Sequence, residues 1–248
     1  MLYNEEQARA KIRNRDGKRV FFLGKGDQLT SSARDFLNRE RVQILPAEQA
    51  KIEKYRLQNG GFLEEKPEHM THLNGDVLVP KNHPRILFRG KVDTLEAELL
   101  LCQLADEQLV TPIGEILALA RQIIRCEVLN ESLKWEKLCG LTESEQRRRS
   151  HFPQDYYGQP HFMPSAADGP VIARLNRARC AAREAELAAV TAFADREGKP
   201  TRPDILKALN RMSSMLYILM VQWKSKVELR RARPAANSLR TRAIDKHP

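Results

Sequence analysis

Arg179, Arg183 and Glu186, in the stretch RARCAAREAE, stand at i, i+4 and i+7, within roughly 60° of one another on a helical wheel. Guanidinium groups on successive turns of one face match phosphate oxygens in a fork geometry, and a neighbouring carboxylate can orient them. A solvated, arginine-rich helix face has the same spacing. A second polar set lies between Thr201 and Trp223, in TRPDILKALNRMSSMLYILMVQW, where Asn210, Ser213, Ser214 and Tyr217 recur at threes and fours. Buried polar groups are costly without partners, so this stripe faces either a satisfied structural network or a ligand. A third set, Thr71, Asn74, Gly75, Asp76 and Lys81, combines small residues that allow close backbone approach with an ammonium group, as a phosphate-facing loop does. His69 and His72 invite a metal, but no third and fourth ligand is spaced to join them, and no metal residue is assigned.

The elements that must position these residues are mostly helical. The helix carrying Asn210 is apolar almost all round, through Ile205, Leu206, Leu209, Met212, Met215, Leu216, Ile218, Leu219, Met220 and Val221, which is the pattern of a helix enclosed by others. Thr201 is its expected N-cap, with Pro203 and Asp204 suited to the first turn. Arg211 points about 100° from Asn210 and reads as a structural or interface arginine. The arginine helix runs from Asp168–Pro170 to Gly198. Ahead of it, Leu95, Leu99, Leu100, Leu101 and Leu104 mark a first helix with Asp93 at its entry. Thr111 and Pro112 open a second helix carrying Ile113, Ile116, Leu117, Leu119, Ala120, Ile123 and Ile124. Leu129 to Arg149 reads as a shorter charged helix, followed by a loop of about twenty residues rich in Pro, Gly and aromatics, a length typical of functional loops.

Residues 1–50 read as a small α/β unit: a polar helix Glu5–Arg13, a strand Arg19–Leu23, a helix capped at Thr30 or Ser31 that buries Ala33, Phe36 and Leu37, and a strand Arg41–Leu45. A polar linker helix from Ala47 to Lys66 then runs into a Gly-Gly loop. The boundaries follow as 1–50, a linker and phosphate-facing segment 51–84, a helical domain 85–227 and a basic flexible tail 228–248.

The net charge of +10 first suggests nucleic acid, but Lys224 to Pro248 carries eight Lys/Arg against Glu228 and Asp245. Its balance of +6 leaves +4 for everything before it, so a nucleic-acid partner is not expected. At 42% hydrophobic residues the chain can bury a substantial core, yet no apolar run reaches bilayer length and MLYNEEQARAK has no signal-peptide character. A soluble cytoplasmic protein without a membrane partner is expected. Cys102, Cys126, Cys139 and Cys180 form no CxxC pair and read as small buried hydrophobes.

Taken together, RPDILKALNRMSSMLY, RARCAAREAE, THLNGDVLVPKNHPRILFRGKVDTLEAELL and the N-terminal LTSSARDFL resemble the cobalamin adenosyltransferases, specifically the ethanolamine-utilization (EutT-type) branch related to the PduO type. In Leu209 to Ser213 the family's LNRLS motif is present with Met212 in place of leucine. The resemblance implies a mainly α protein, a five-helix bundle with a small N-terminal α/β appendage and a basic C-terminal tail. It implies transfer of the 5′-deoxyadenosyl group of ATP to cob(I)alamin, with Mg²⁺ bridging phosphate oxygens. By that analogy Asp93 pairs with Arg179, Arg183 and Asn210 contact ATP, Glu186 supports the arginines, and Lys81, Thr71, Gly75 and Asp76 belong to the phosphate segment. The implied partners are a reductase, an adenosylcobalamin-dependent ethanolamine ammonia-lyase and further copies of the chain, as a trimer with ATP between subunits, with association to a bacterial microcompartment. Two departures stand out. The CCxxC cluster that some EutT-type enzymes carry ahead of THL is missing, which disfavours a transition-metal variant. The acidic residue after LNRLS is Ser214, and Thr71 to Asp76 only loosely echoes the PduO-type TGDxGxT loop.

Overall fold

The computed structural model describes residues 1–15, 18–48, 55–63 and 65–244, and the chain forms two compact units, Met1–Val79 and Pro80–Pro248. In the first unit, β1 (Leu2–Tyr3) leads into α1 (Glu5–Ala10), whose N-terminus Asn4 and Gln7 close as a capping box. Next come β2 (Arg13–Arg15), β3 (Lys18–Leu23), β4 (Gln28–Leu29), α2 (Ser31–Arg39) and β5 (Gln43–Pro46). β3 pairs antiparallel with β2 and parallel with β5, and α2 is the crossover between the parallel strands. Thr30 caps α2, its Oγ1 accepting the Ala33 N–H at 3.2 Å, and Ala33, Phe36 and Leu37 are buried as expected. Tyr3 meets Phe21 edge-on at 5.6 Å in the same small core.

Of the expected linker helix over 47–66, residues 49–54 and 64 lie outside the described residues. Residues 55–63 are extended instead, as β6 (Tyr55–Leu57) and β7 (Phe62–Leu63), because Gly60 at φ +89° turns the chain back antiparallel. With β8 (Met70–Asn74) and β9 (Val77–Pro80) they form a sheet of order β7-β6-β9-β8, in which β6 and β9 run parallel.

The second unit is a helical bundle. α3 (Pro84–Gln103) begins earlier than the leucine pattern indicated, with the His83 side chain accepting the Arg85 N–H. Asp93 is consequently mid-helix rather than at its entry, and Leu100, Leu101 and Leu104 are exposed while Leu95 and Leu99 are buried. α4 (Val110–Leu129) ends on Asn130 in the left-handed conformation. The expected helix from Leu129 is instead a loop and a hairpin, β10 (Lys137–Leu138) and β11 (Leu141–Thr142). Cys139 and Gly140 both have positive φ in its two-residue turn, as a type I′ hairpin requires.

α5 (Glu143–His151) opens with a capping box of Thr142 and Glu145. The aromatic loop contains a short helix, α6 (Pro153–Tyr157), and α7 (Pro170–Ala192) ends six residues before Gly198. α8 (Pro203–Ile244) is the long central helix. Thr201 does not cap it with its side chain, since its hydroxyl donates to the Phe193 carbonyl at 2.8 Å. Asp204 does serve the first turn, accepting from Arg202 and from the Leu133 N–H. Beyond Trp223 the helix runs on through Ile244, where a flexible tail was expected from 228.

The core gathers Phe88, Val92 and Leu95 of α3, Ile116 and Ile123 of α4, Leu175 of α7 and Leu209, Met212 and Leu216 of α8. α7 turns alanines inward at 178, 182, 185 and 189, so α3 and α8 both approach it closely. Fully buried Glu127 of α4 receives Arg89 Nε at 2.7 Å and also Arg85 Nε, tying α4 to the start of α3. Removing one partner of such a pair typically costs about 3–5 kcal/mol. No helix among the described residues is long and apolar enough to cross a membrane.

Candidate functional site

α7 carries arginines in two different electrostatic settings. Arg177 is matched by Glu98 and Glu184, each at 3.1 Å. Arg179 donates twice to the neutral Asn176 side chain, at 3.1 and 2.9 Å, and neither Arg179 nor Arg183 has an ion pair among the described residues. Both line a cleft of about 280 Å³, together with Ser150, His151, His161, Ser213, Ser214 and Tyr217. Two guanidinium charges without protein counterions in one cleft form a site for an anion.

Ser213, Ser214 and Tyr217 of the α8 stripe form the opposite wall, and Asn210 stands beside it without lining the cleft. Asn210 Nδ2 donates to Glu186 Oε1 at 2.8 Å, so the carboxylate of α7 supports the asparagine and not the arginines, as the wheel had implied. Close α7–α8 packing over the inward alanines brings the two together. Arg211 joins them, its Nη2 donating to Asn210 Oδ1. The 100° between successive Cβ directions had placed it outside the site, but its long side chain folds back onto its neighbour. Burial lowers its guanidinium pKa, and Arg147 nearby lowers it further. Asn210 is thus held at both ends of its amide. The hydroxyls of Ser213 and Ser214 donate to the Asn210 carbonyl at 2.9 and 3.1 Å, so each presents only lone pairs to the cleft.

A second cleft, of about 470 Å³, adjoins the first. His161, Phe162, Met163, Pro164, Asn176, Arg179, Tyr217 and Met220 line it, a largely apolar set, and His161, Arg179 and Tyr217 belong to both clefts. His161 and Phe162 stack on Tyr217, and burial raises the Tyr217 phenol pKa, which keeps it protonated. His161, on the loop after α6, escaped sequence reasoning. The signal available for it was the aromatic and histidine content of a long loop. A third cavity, of about 270 Å³, is lined by Leu109, Pro112, Cys139, Met215 and Trp223 and holds none of the residues singled out from the sequence.

The remaining expected site residues lie elsewhere. Asp93 is exposed on α3 and makes no ion pair among the described residues, so the implied pair with Arg179 is not formed within the chain; Arg179 is turned to Asn176. Thr71 is on strand β8, and Gly75, at φ +52°, and Asp76 form the turn to β9, all in the first unit. That segment is a hairpin turn rather than an open loop: Asp76 pairs with Arg56 at 3.1 Å and His72 Nδ1 lies 3.1 Å from the Gly75 carbonyl. Lys81 is exposed, ahead of α3 in the second unit. Among the described residues no group of three or more His, Cys, Asp or Glu stands together as a metal site.

A family model described as cobalamin adenosyltransferase matches residues 62–223. The corrinoid adenosyltransferase EutT of Salmonella typhimurium is 36% identical over 157 residues, and its Escherichia coli K12 counterpart 35% identical over the same length. Each match covers 63% of this chain and 59% of the relative, so the chain spans less than two thirds of the length of these relatives. A solved variant of a PduO-type ATP:corrinoid adenosyltransferase from Lactobacillus reuteri, complexed with cobalamin and ATP, aligns over 61% of this chain and 86% of its own, with a TM-score of 0.47 and 18% identity.

Proposed function

The chain belongs to the cobalamin adenosyltransferase family, and from that premise we propose that it transfers the 5′-deoxyadenosyl group of ATP to cob(I)alamin, giving adenosylcobalamin and free polyphosphate. The observation that carries this reading is the pair of adjoining clefts: one with Arg179 and Arg183 lacking counterions among the described residues, the other largely apolar, sharing the wall of His161, Arg179 and Tyr217. A reaction between a polyanion and a large, flat, mostly apolar partner needs that juxtaposition. Cob(I)alamin is itself a strong nucleophile, so the chain has to orient ATP and stabilise the departing polyphosphate rather than supply a base. Arg183 and Arg179 serve the phosphates. Glu186 and Arg211 fix the Asn210 amide, one turn along α8 from the serines of the cleft wall. Phe162 and Met163 bound the corrin side.

Mg²⁺ finds no cluster of carboxylates in the described residues. It fits this chain only as a companion of the phosphates, retaining waters, in keeping with its preference for phosphate oxygens. Asp93 and Lys81 enter the reading through a homo-oligomer, a trimer, in which they face Arg183 of another copy; Asp93 and Arg183 are both exposed and unpaired within the described chain. A reductase would supply the Co(I) state, and ethanolamine ammonia-lyase would receive the product, in the cytoplasm or at a microcompartment.

Incubating the protein with ATP, Mg²⁺ and chemically reduced cobalamin tests the reading. Accumulation of adenosylcobalamin is expected. Retained cobalamin and ATP binding without product would replace it with a non-catalytic cobalamin carrier.

A further inference from the structure

The third cavity, of about 270 Å³, lies on another side of α8 from the anion cleft. Met215, Leu219, Gln222 and Lys226 follow one another at threes and fours and line it as one stripe, whereas Tyr217, about 200° round the helix from Met215, faces the anion cleft. Its floor is apolar, made by the core residues Leu109, Met215 and Leu219, and Trp223 adds a half-buried ring. Another wall is the turn of the β10–β11 hairpin, and that turn is fastened down. Cys139 donates its N–H to Glu115 Oε2 at 2.7 Å and its thiol to the Pro112 carbonyl at 3.3 Å, both on α4. Cys139 has a positive φ there, which Asn or Gly adopts more readily, so tertiary bonds hold the turn in place against local preference. The cavity is therefore built by the fold and needs no ligand to shape it.

The charges that line it have one sign. Arg149 and Lys226 both do so, and none of the described lining residues is a carboxylate. Glu115 is turned to the Cys139 N–H, and Glu145 reaches Arg149 only at 4.0 Å. Lys226 donates to the neutral Gln108 amide at 3.3 Å, which occupies one of its three N–H groups. We propose that this cavity binds a small aromatic carboxylic acid, its carboxylate held by Arg149 and Lys226 and its ring against Met215, Leu219 and Trp223. An apolar pocket with a few convergent polar groups is the usual form of a small-molecule site, and this one is just below the range of about 300–1,000 Å³ that drug-sized ligands occupy, which suits a single ring. Inorganic phosphate would leave the apolar floor uncovered, and an uncharged aromatic would leave the two cations unmatched. The inference does not depend on the adenosyltransferase reading, whose residues line the other two clefts.

The test is titration of the full chain with phenylpropanoate, followed through the Met215 methyl and Trp223 indole N–H resonances, with phenylpropanol and inorganic phosphate as the uncharged and the non-aromatic comparisons. Phenylpropanoate should move both resonances saturably and leave the Met163 methyl, in the cleft beside Tyr217, where it is. Phenylpropanol should bind about tenfold more weakly, the effect of losing charge-assisted bonds, and phosphate should move neither resonance. Lys226→Gln removes one cation at an exposed position, and Gln222→Glu sets an isosteric carboxylate beside both cations as an internal competitor. Each should keep the wild-type melting midpoint and weaken phenylpropanoate binding by about tenfold. Shifts that never saturate, or that appear at Met163 in place of Met215, overturn the site. Equal affinity for the acid and the alcohol, or unchanged affinity in both folded variants, overturns the assignment of a carboxylate.

Discussion

Arg177 and Arg183 lie on one helix, and substituting each should give opposite results. Arg183 is exposed and has no ion pair among the described residues, so the folded chain gains little from it. Arg183→Ala should leave the thermal midpoint almost unchanged. It should lower kcat/KM for ATP by about 10–100-fold, the equivalent of losing charge-assisted bonds worth about 1.5–3 kcal/mol. Arg177 has carboxylates on two sides but is half exposed, where solvent screens such pairs and leaves them little to contribute. Arg177→Ala should give a small stability loss with turnover intact. Asn210→Ala should lower turnover as Arg183→Ala does but also cost some stability, because Glu186 and Arg211 would lose the amide they bond. Steady-state kinetics beside thermal melts separates these outcomes, and parallel losses of stability and turnover in all three would reduce the cleft to a structural network. At this scale the sequence displayed the arginine spacing and the polar stripe. It could not show that Glu186 goes to Asn210 or that Arg211 folds back, since both depend on how closely α7 and α8 approach.

The loop after α6 is fastened to α8 at defined points. Asp168 accepts the Ser165 N–H at 2.7 Å and pairs with Lys224 at 3.0 Å, and Lys224 also lies over the Phe162 ring at 4.3 Å. The Ser165 backbone bond, followed by Lys224, holds the Asp168 carboxyl below the usual carboxylate range. A folded-state pKa below the unfolded one gives stability that is present above about pH 4 and disappears as pH falls through the lowered value. Asp168→Asn should lower the melting midpoint by about 2–4 °C at pH 7, with the gap to wild type closing as pH falls through the lowered value. A gap independent of pH would mean that the residue matters by its shape and not its charge. The same loop shows where elements were hard to read. α3 and α8 were legible as helices because their apolar residues recur at helical spacing, whereas their ends depend on partners outside the helix, such as the His83 cap and the Phe193 carbonyl that takes the Thr201 hydroxyl. The hairpin at Lys137–Thr142 hid inside a charged stretch because its turn uses Cys139, where Asn or Asp is the usual signal.

At the scale of the molecule, the proposed trimer has one copy completing the site of another. Arg183 shares its exposed stripe on α7 with Leu187 and Val190, at i+4 and i+7, whose side chains are 69% and 48% exposed. Asp93 is likewise exposed on α3 and without an ion pair among the described residues. A charged binding face continued by exposed apolar residues fits a surface that another copy covers, and burying one such leucine is worth about 1.5–3 kcal/mol. Leu187→Glu places a carboxylate in that contact, where an unpaired buried charge costs more than the leucine contributed. Sedimentation should therefore find the wild type as a trimer and Leu187→Glu as a monomer. The substitution is at an exposed position, so the monomer should retain its helical content while losing at least tenfold in turnover. Because the loss acts through association, turnover of the variant should recover in part as protein concentration rises. Asp93→Ala should lower turnover without dissociating the wild-type oligomer completely, since it removes one ionic contact and keeps the apolar one. A wild-type monomer with full adenosyltransferase activity would overturn this reading and confine the site to Arg179, Arg183, Asn210 and the residues that hold them.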